Sequence, residues 1–531
     1  MNNGVCYRTD YHFAKRVLRA INVENAENVL IPRTLSIGFN AQNLFVLKNG
    51  GELLLDFGEE TCGGLRLLVR HAPQGVKVRV VFGESVSEAL SSIGEKGATN
   101  DHAMRDFSVY CPNMSDSLVG NTGFRFARII LEEGEFCAFS AIVARSVLPV
   151  LEKEGKIVTS DKLIDSICSV AARTLKLNMQ NGFIWDGIKR DRLVWCGDLN
   201  PEEISGLEYY NNFKLISNSM CVLIEDSNGS CWVNGIASYS AWFVINFFDA
   251  LRLGVKFSDE EYKKCFEYAQ SIIKKVDESV SADGTMNFEN AGMAFYLDWP
   301  TCETPDAEVG TACLFIMAAK KYKECVKDEH ADNIIVKLNK YLDKDVAFKQ
   351  TKAIQILAGR VPKKGDKEFL ECGGAKGMST FMGYYILTAY DMIGGEKALD
   401  IIREYYGKML QMGATSFWED FDVEWAENAY GIDQMPVEGK KDIHGDYGKF
   451  CYSKLRHSLC HGWSGGVLAF IIERIFGVRI YDGYKTVKVY KNSYDLDFEA
   501  TLPTPSGYMT IAKKDGSVAV SAPEDVNVEI I

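Results

Sequence analysis

Polar and apolar positions alternate along the first third of the chain. The stretch Glu52-Leu53-Leu54-Leu55-Asp56-Phe57 carries the pattern, and short apolar runs follow at 65–69, 76–82 and 124–131. Gly, Asn and Pro-Gln-Gly clusters separate them. Several short strands at this spacing, between about residues 30 and 150, predict a β-sandwich.

Near residue 155 the period lengthens. The segment TSDKLIDSICSVAARTLKLNMQ places Ile164, Ile167, Cys168, Ala171 and Leu175 on one helical face, with Ser160 placed to cap its start. Helical patterns recur at about 200–225, 237–254, 259–279, 303–327, 330–345, 377–392, 395–412 and 456–475. No repeat of fixed period is present. Helical hairpins of this kind suit a toroid of inner and outer helices, an (α/α) barrel. After Gly477 alternation returns, in VRIYDGYKTVKVY and GYMTIAKKDGSVAVSA, with a Lys-Asp-Gly turn at 514–516. The expected division is an N-terminal β-sandwich at 1–154, a helical domain at 155–476 and a small C-terminal β-domain at 477–531.

Composition narrows the function. The 531 residues are 47% hydrophobic and 25% charged, an ordinary globular balance. A net charge of −13 lacks the basic footprint of a nucleic-acid binder and disfavours an anionic membrane surface. No apolar run approaches the ~18 residues of a membrane span, and the N-terminal segment has no signal-peptide pattern. The 15 cysteines are scattered without a CxxC pair, which fits free thiols in a reducing, cytoplasmic setting. P-loop, GxGxxG, GxSxG and kinase signatures are absent. All 8 tryptophans lie between Trp185 and Trp463. Either the middle domain has the largest core, or these rings line a site for a polar ligand with apolar faces.

Candidate chemistry concentrates in four places. The run Trp185-Asp186-Gly187-Ile188-Lys189-Arg190-Asp191-Arg192-Leu193-Val194-Trp195-Cys196-Gly197-Asp198 holds three carboxylates, three cations and two Trp in 14 residues. Its apolar neighbours argue for partial burial, where Arg190 and Arg192 can hold carboxylates ionised. The second is Thr415-Ser416-Phe417-Trp418-Glu419-Asp420-Phe421, a carboxylate among aromatics that suits a general base facing a sugar ring, although this segment alone reads better as an acidic helix start. The third is His457-Ser458-Leu459-Cys460-His461-Gly462-Trp463, whose two His fall four apart on an expected helix. A metal site there lacks a third ligand, and a thiol nucleophile would point away from its neighbour. A His that bonds a substrate hydroxyl fits better. The fourth is Tyr296-Leu297-Asp298-Trp299-Pro300, an aromatic wall or a core element.

The runs DGIKRDRLVWCGD, ATSFWE and SLCHGWSGGV together resemble bacterial α-L-rhamnosidases of glycoside hydrolase family 78, in domain order over roughly residues 40–530. The resemblance implies an (α/α)6 barrel with β-sandwich domains before it and a β-domain after it. It also implies cofactor-free hydrolysis of terminal α-L-rhamnosides with inversion. The family's general acid falls on Asp191, where many members have Glu, and its general base on Glu419. Sugar-binding positions fall on Asp186, Arg190, Trp195, Asp198, Asp298, Trp299 and His461. The implied substrate is a small rhamnosylated glycoside or oligosaccharide. Aglycone, linkage and any homo-oligomer are left open. Two alternatives stand beside this reading: a non-catalytic sugar-binding relative, and a polysaccharide lyase built on His461, Tyr239 and Arg192.

Overall fold

The computed structural model describes residues 4–37 and 42–531. Residues 1–3, at the head of the segment where no signal peptide is expected, and 38–41 lie outside the described residues. The chain begins with β1 (Tyr7–Phe13), β2 (Arg16–Glu24), β3 (Phe45–His71), β4 (Val76–Gly83), β5 (Asp106–Cys111), β6 (Asp116–Glu133) and β7 (Phe136–Pro149). They form one antiparallel sheet in the order β1-β7-β3-β6-β4-β5, with β2 also on β3. The runs at 52–57 and 65–69, expected as separate strands, are one. Register shifts between Asp56 and Thr61 and between Gly63 and Leu65 bend β3 without ending it. Phe45 and Val69, at opposite ends of β3, both pair with Phe139, so a single sheet wraps back on itself. Phe45, Leu55, Leu67, Val80, Phe124 and Phe139 fill the space it encloses.

A short helix, α1 (Val86–Leu90), leaves β4, and the strand β8 (Lys156–Thr159) precedes the helical region. There α2 (Lys162–Asn178) buries the face read from sequence. Its cap is Asp161, whose carboxylate accepts from the Leu163 N–H at 2.8 Å. Ser160 instead accepts from the Asp497 N–H at 3.2 Å, in the C-terminal region. After a small hairpin of β9 (Met179–Gln180) and β10 (Phe183–Ile184) come α3 (Cys196–Tyr210), α4 (Phe213–Asp226), α5 (Ala237–Arg252) and α6 (Asp259–Ser279). Then follow α7 (Pro305–Cys325), α8 (Glu329–Leu338), α9 (Lys349–Leu357), α10 (Asp366–Glu371), α11 (Gly383–Met392), α12 (Ala398–Gln411) and α13 (Gly466–Phe470). A left-handed Asn211 divides the helix expected at 200–225 into α3 and α4.

Sequence separates two kinds of helix. In α5, Ala237 to Ala250 are buried all round, as expected of a helix without a polar face. By contrast α6 is amphipathic. It opens with a Ser258/Glu261 capping box and buries only Cys265, Ala269, Ile272, Ile273, Val276 and Asp277. Helices α3, α5, α7, α9, α11 and α13 touch in succession, and α13 returns to α3.

Between α12 and α13, β11 (Ala429–Tyr430) pairs with β12 (Lys441–Asp442). The helix expected over 456–475 starts only at Gly462 and ends in a π-helical turn, Ile471–Ile475. Beyond it lie β13 (Val478–Tyr481), β14 (Thr486–Val489), β15 (Phe498–Thr504), β16 (Gly507–Lys514), β17 (Ser517–Ser521) and β18 (Asn527–Ile530). They form the sheets β13-β14-β18 and β17-β16-β15-β8. The β16–β17 hairpin turns at Asp515 and Gly516, both at positive φ, as the Lys-Asp-Gly signal predicts. Strand β8 therefore lies in the stretch expected to be helical but belongs to the C-terminal sheet.

The N-terminal sheet grips the helical region. The Asp56 carboxylate holds Arg125 at 2.8 and 3.0 Å, and Arg125 also donates to the Gly413 carbonyl at 2.9 Å. All 15 cysteines are free. Among the described residues, no helix is long and apolar enough to cross a membrane.

Candidate active site

The loop from Trp185 to Trp195 connects β10 to α3 and carries the densest charge. Its backbone is folded tightly. The Asp186 N–H donates to the Leu193 carbonyl, and the Leu193 N–H returns a bond to Asp186 Oδ1, both at 3.0 Å. Asp191 and Arg192 have φ of 54° and 60°. Two consecutive left-handed residues without glycine are strained, and external contacts hold them. The Asp191 N–H donates to His102 Nδ1 at 2.6 Å, and Arg192 donates to the Asn121 carbonyl at 3.0 Å. Both partners come from the N-terminal sheet region.

The loop meets the segment 457–463 edge to edge. Gly187 bridges His461, and the Gly462 N–H donates to the Asp186 carbonyl at 2.6 Å. Two motif glycines permit this packing. A Cβ on Gly462 would fall 1.4 Å from Glu202 Oε1, and one on Gly197 would fall 2.6 Å from the Tyr239 ring. His457 and His461 share no helix. His457 Nε2 accepts from the Asp420 N–H at 2.8 Å, apart from the cavity. The helical pattern read over 456–475 failed here because its first residues are extended.

These elements enclose a cavity of about 140 Å³. It is lined by Asp186, Arg190, Asp191, Trp195, Asp198, Ile236, Tyr239, Met293, Tyr296, Trp299, Glu419, Cys451, His461 and Trp463. Eight of the nine predicted site residues are among them. The ninth, Asp298, lies behind the wall. It caps the turn at Trp299, accepting from that residue's N–H at 2.8 Å and from Ser379 Oγ at 2.5 Å. Arg192 is also outside, stacked 4.8 Å over the Trp185 ring. It holds no site carboxylate, contrary to expectation.

Arg190 occupies the centre. Its Nη2 bonds Glu419 Oε1 and its Nη1 lies 3.2 Å from Asp191 Oδ1. Burial opposes its charge, but Glu419 and Asp191 outweigh that and raise its pKa. Glu419 Oε2 accepts from the Ser458 N–H at 3.1 Å. His461 Nε2 faces Asp186 at 3.7 Å, Asp198 at 3.9 Å and Glu419 at 3.7 Å. These gaps exceed a direct hydrogen bond and match the spacing around a shared hydroxyl. Burial, then Arg190, pushes His461 well below its usual pKa, so the ring is neutral. Burial, then the neighbouring carboxylates, pushes Asp186 well above the usual range. Asp198 is likewise raised by burial, against a 3.0 Å bond from the Tyr239 hydroxyl. Both carboxyls line the cavity, where their oxygens can bond hydroxyl groups.

Aromatic rings close the other side. Trp299 packs edge-on to Tyr296 and Tyr452 and stacks at 5.6 Å on Phe450, which is 45% exposed. Trp463 stacks on Phe381, while Trp418 is buried behind Glu419. Sequence reasoning missed Ile236, Met293 and Cys451. Their apolar character is indistinguishable from core. Tyr239 entered only in the lyase alternative, and His102 carries no motif.

No family model matches the chain, and no curated protein does. Solved structures do. A family 78 rhamnosidase of Bacillus sp. GL1 superposes with TM-score 0.75 at 17% identity, over 96% of this chain and 55% of that one. The rhamnosidase from Klebsiella oxytoca with rhamnose bound gives 0.68 at 18%, over 90% of this chain and 97% of that one. The Aspergillus terreus α-L-rhamnosidase gives 0.72 at 15%, over 100% of this chain and 62% of that one. The chain thus spans about half the length of the Bacillus structure and nearly all of the Klebsiella one. Its fold is that of the family 78 α-L-rhamnosidases.

Proposed function

We propose that the chain is an inverting α-L-rhamnosidase acting on a terminal sugar of a small glycoside, without a cofactor. The observation that carries this reading is convergence. Three motifs far apart in sequence bring Asp186, Arg190, Asp191, Trp195, Asp198, Glu419 and His461 into one cavity, in a chain with the rhamnosidase fold. The helical region is read as an (α/α)6 barrel, supported by the closed succession α3-α5-α7-α9-α11-α13. The expected three domains are kept, with β8 assigned to the C-terminal sheet.

Inversion needs one carboxyl to protonate the leaving oxygen and another carboxylate to activate water from the opposite face, roughly 6.5–9.5 Å away. Asp191 is assigned as the acid and Glu419 as the base. The Arg190 guanidinium lies between them, keeps them from touching and fixes both orientations. Asp186, Asp198 and His461 are assigned to the ring hydroxyls. Trp195, Trp299 and Trp463 supply apolar faces, which suit the 6-methyl group of rhamnose. The volume is below the roughly 300 Å³ of sites for larger ligands, in keeping with one sugar ring. The lyase alternative loses Arg192, which points away from the cavity.

The test is hydrolysis of an aryl α-L-rhamnoside by the wild type, Asp191→Asn and Glu419→Gln, with NMR of the first-formed anomer. Wild-type release of β-L-rhamnose and loss of turnover in both variants is expected. Undiminished turnover in either variant rejects its assigned role, and hydrolysis confined to another aryl glycoside changes the substrate.

A further inference from the structure

Glu419 is held by a backbone segment that is itself held from the N-terminal sheet. Glu84 follows β4 directly and is fully buried. Its Oε2 accepts from the Leu459 N–H at 2.6 Å and lies 3.0 Å from Lys189 Nζ. One residue earlier, the Ser458 N–H points the other way and donates to Glu419 Oε2, while the Glu419 N–H donates to the Ser458 carbonyl at 3.0 Å. Successive amides of one extended segment thus bind Glu84 on one side and Glu419 on the other.

Lys189 ties this arrangement to the loop. It immediately precedes Arg190, lies 3.1 Å from Glu88 Oε1, and donates to the carbonyls of Leu455, at 3.2 Å, and His457. Arg105 pairs with Glu88. His444 Nε2 donates to the His457 carbonyl at 2.9 Å, so its Nδ1 accepts from the Ser85 hydroxyl at 2.7 Å. Glu84, Glu88 and His444 bring ligand-type atoms within 4.8 Å of one another. The Lys189 ammonium and the Arg105 guanidinium supply the positive charge there. Every member is buried, so each bond acts in a low dielectric with little freedom to rearrange.

We propose that Glu84 is a positioning residue for Glu419: it fixes the Ser458–Leu459 amides and the Lys189–Arg190 backbone, and through them the direction in which the Glu419 carboxylate meets water. The proposal rests on reading Glu419 as the base. Such supporting bonds matter because a misplacement of ~1 Å in a reacting group costs on the order of 100-fold in rate.

Two variants separate charge from reach. Glu84→Gln keeps an acceptor for Leu459 but removes the charge facing Lys189. Glu84→Asp keeps the charge and withdraws it by one methylene. Both are assayed on an aryl α-L-rhamnoside with and without azide, after circular dichroism and melting establish folding. Azide needs no general base. Its nitrogen bonds to C1 as the bond from C1 to the aryl oxygen breaks, and the Asp191 proton goes to that oxygen. A fall in kcat of about 10- to 100-fold is expected, with KM within about threefold of wild type. Azide should restore turnover and yield the inverted glycosyl azide. Wild-type kcat, or a reduced kcat that azide does not restore, overturns the positioning role. Glu419→Ala is the control. If it retains turnover or gives no azide product, the reading of Glu419 fails instead. Should both Glu84 variants fail to fold, Lys189→Arg carries the same comparison with the same two outcomes.

Discussion

The Arg190 guanidinium is bonded to Glu419 through one nitrogen and lies beside Asp191 through the other, so a single planar group sets the direction of both carboxylates assigned to the reaction. Lysine carries the same charge but no fork. Arg190→Lys is therefore expected to lower kcat on an aryl α-L-rhamnoside by on the order of 100-fold, from misalignment alone. Steady-state kinetics check this, and activity within about twofold of wild type would contradict it.

His102 holds the Asp191 backbone from the N-terminal sheet region, and its own φ is +65°. Glycine tolerates that conformation, so His102→Gly removes the imidazole with little backbone strain. A fall in kcat/KM of about tenfold is expected, with stability changed by no more than about 1 kcal/mol. Kinetics paired with urea unfolding separates the two.

Asp298 supplies a pH signature. Burial raises its carboxyl from 3.8 to about 6, against bonds from Ser379 and Trp299. Between those values the folded state binds more protons than the unfolded one. Stability from this group is thus full below pH 4 and is lost as pH rises through about 6, by about 3 kcal/mol. In Asp298→Asn this loss is absent. Melting curves at pH 4 and pH 7 should show the variant gaining on the wild type at the higher pH. A constant difference refutes the prediction.

Asp56 gives the opposite sign. Burial acts to raise its pKa, but Arg125 and Arg16 outweigh burial and hold it below 3.8. Its contribution is present above about pH 4 and is lost as pH falls further. Asp56→Asn leaves Arg125 buried without its counter-charge and is expected to cost about 3 kcal/mol at neutral pH. Denaturant titration measures this, and a cost below about 1 kcal/mol would show that Asp433, 3.8 Å from Arg125, compensates.

Local periodicity made the order of β, α and β regions legible, because core faces repeat every two or 3.6 residues. The motif residues were legible for a different reason: charge beside Trp between two elements is costly unless a site uses it. Long-range geometry was hidden. Nothing local marks His102 or Glu84 as partners of the 185–198 loop, since their contacts arise from docking the sheet against the helices. Asp298 looked like a sugar ligand because its carboxylate sits beside Trp299, yet it points into the protein as a cap. The bend of β3 was equally illegible, because its register shifts leave the alternation intact on either side.

The pairing of β8 with β15 has a consequence for how the protein is made. Thr159 faces Phe498 across the whole helical region. During synthesis the helical region is made between the two strands, so the strand at its threshold finds its neighbour only after those helices have left the ribosome. Until then β8 presents an open edge, the kind of surface that invites wrong pairing. The β8–β15 pairing thus acts as a buckle, fastened only after the helical region between the two strands has been made.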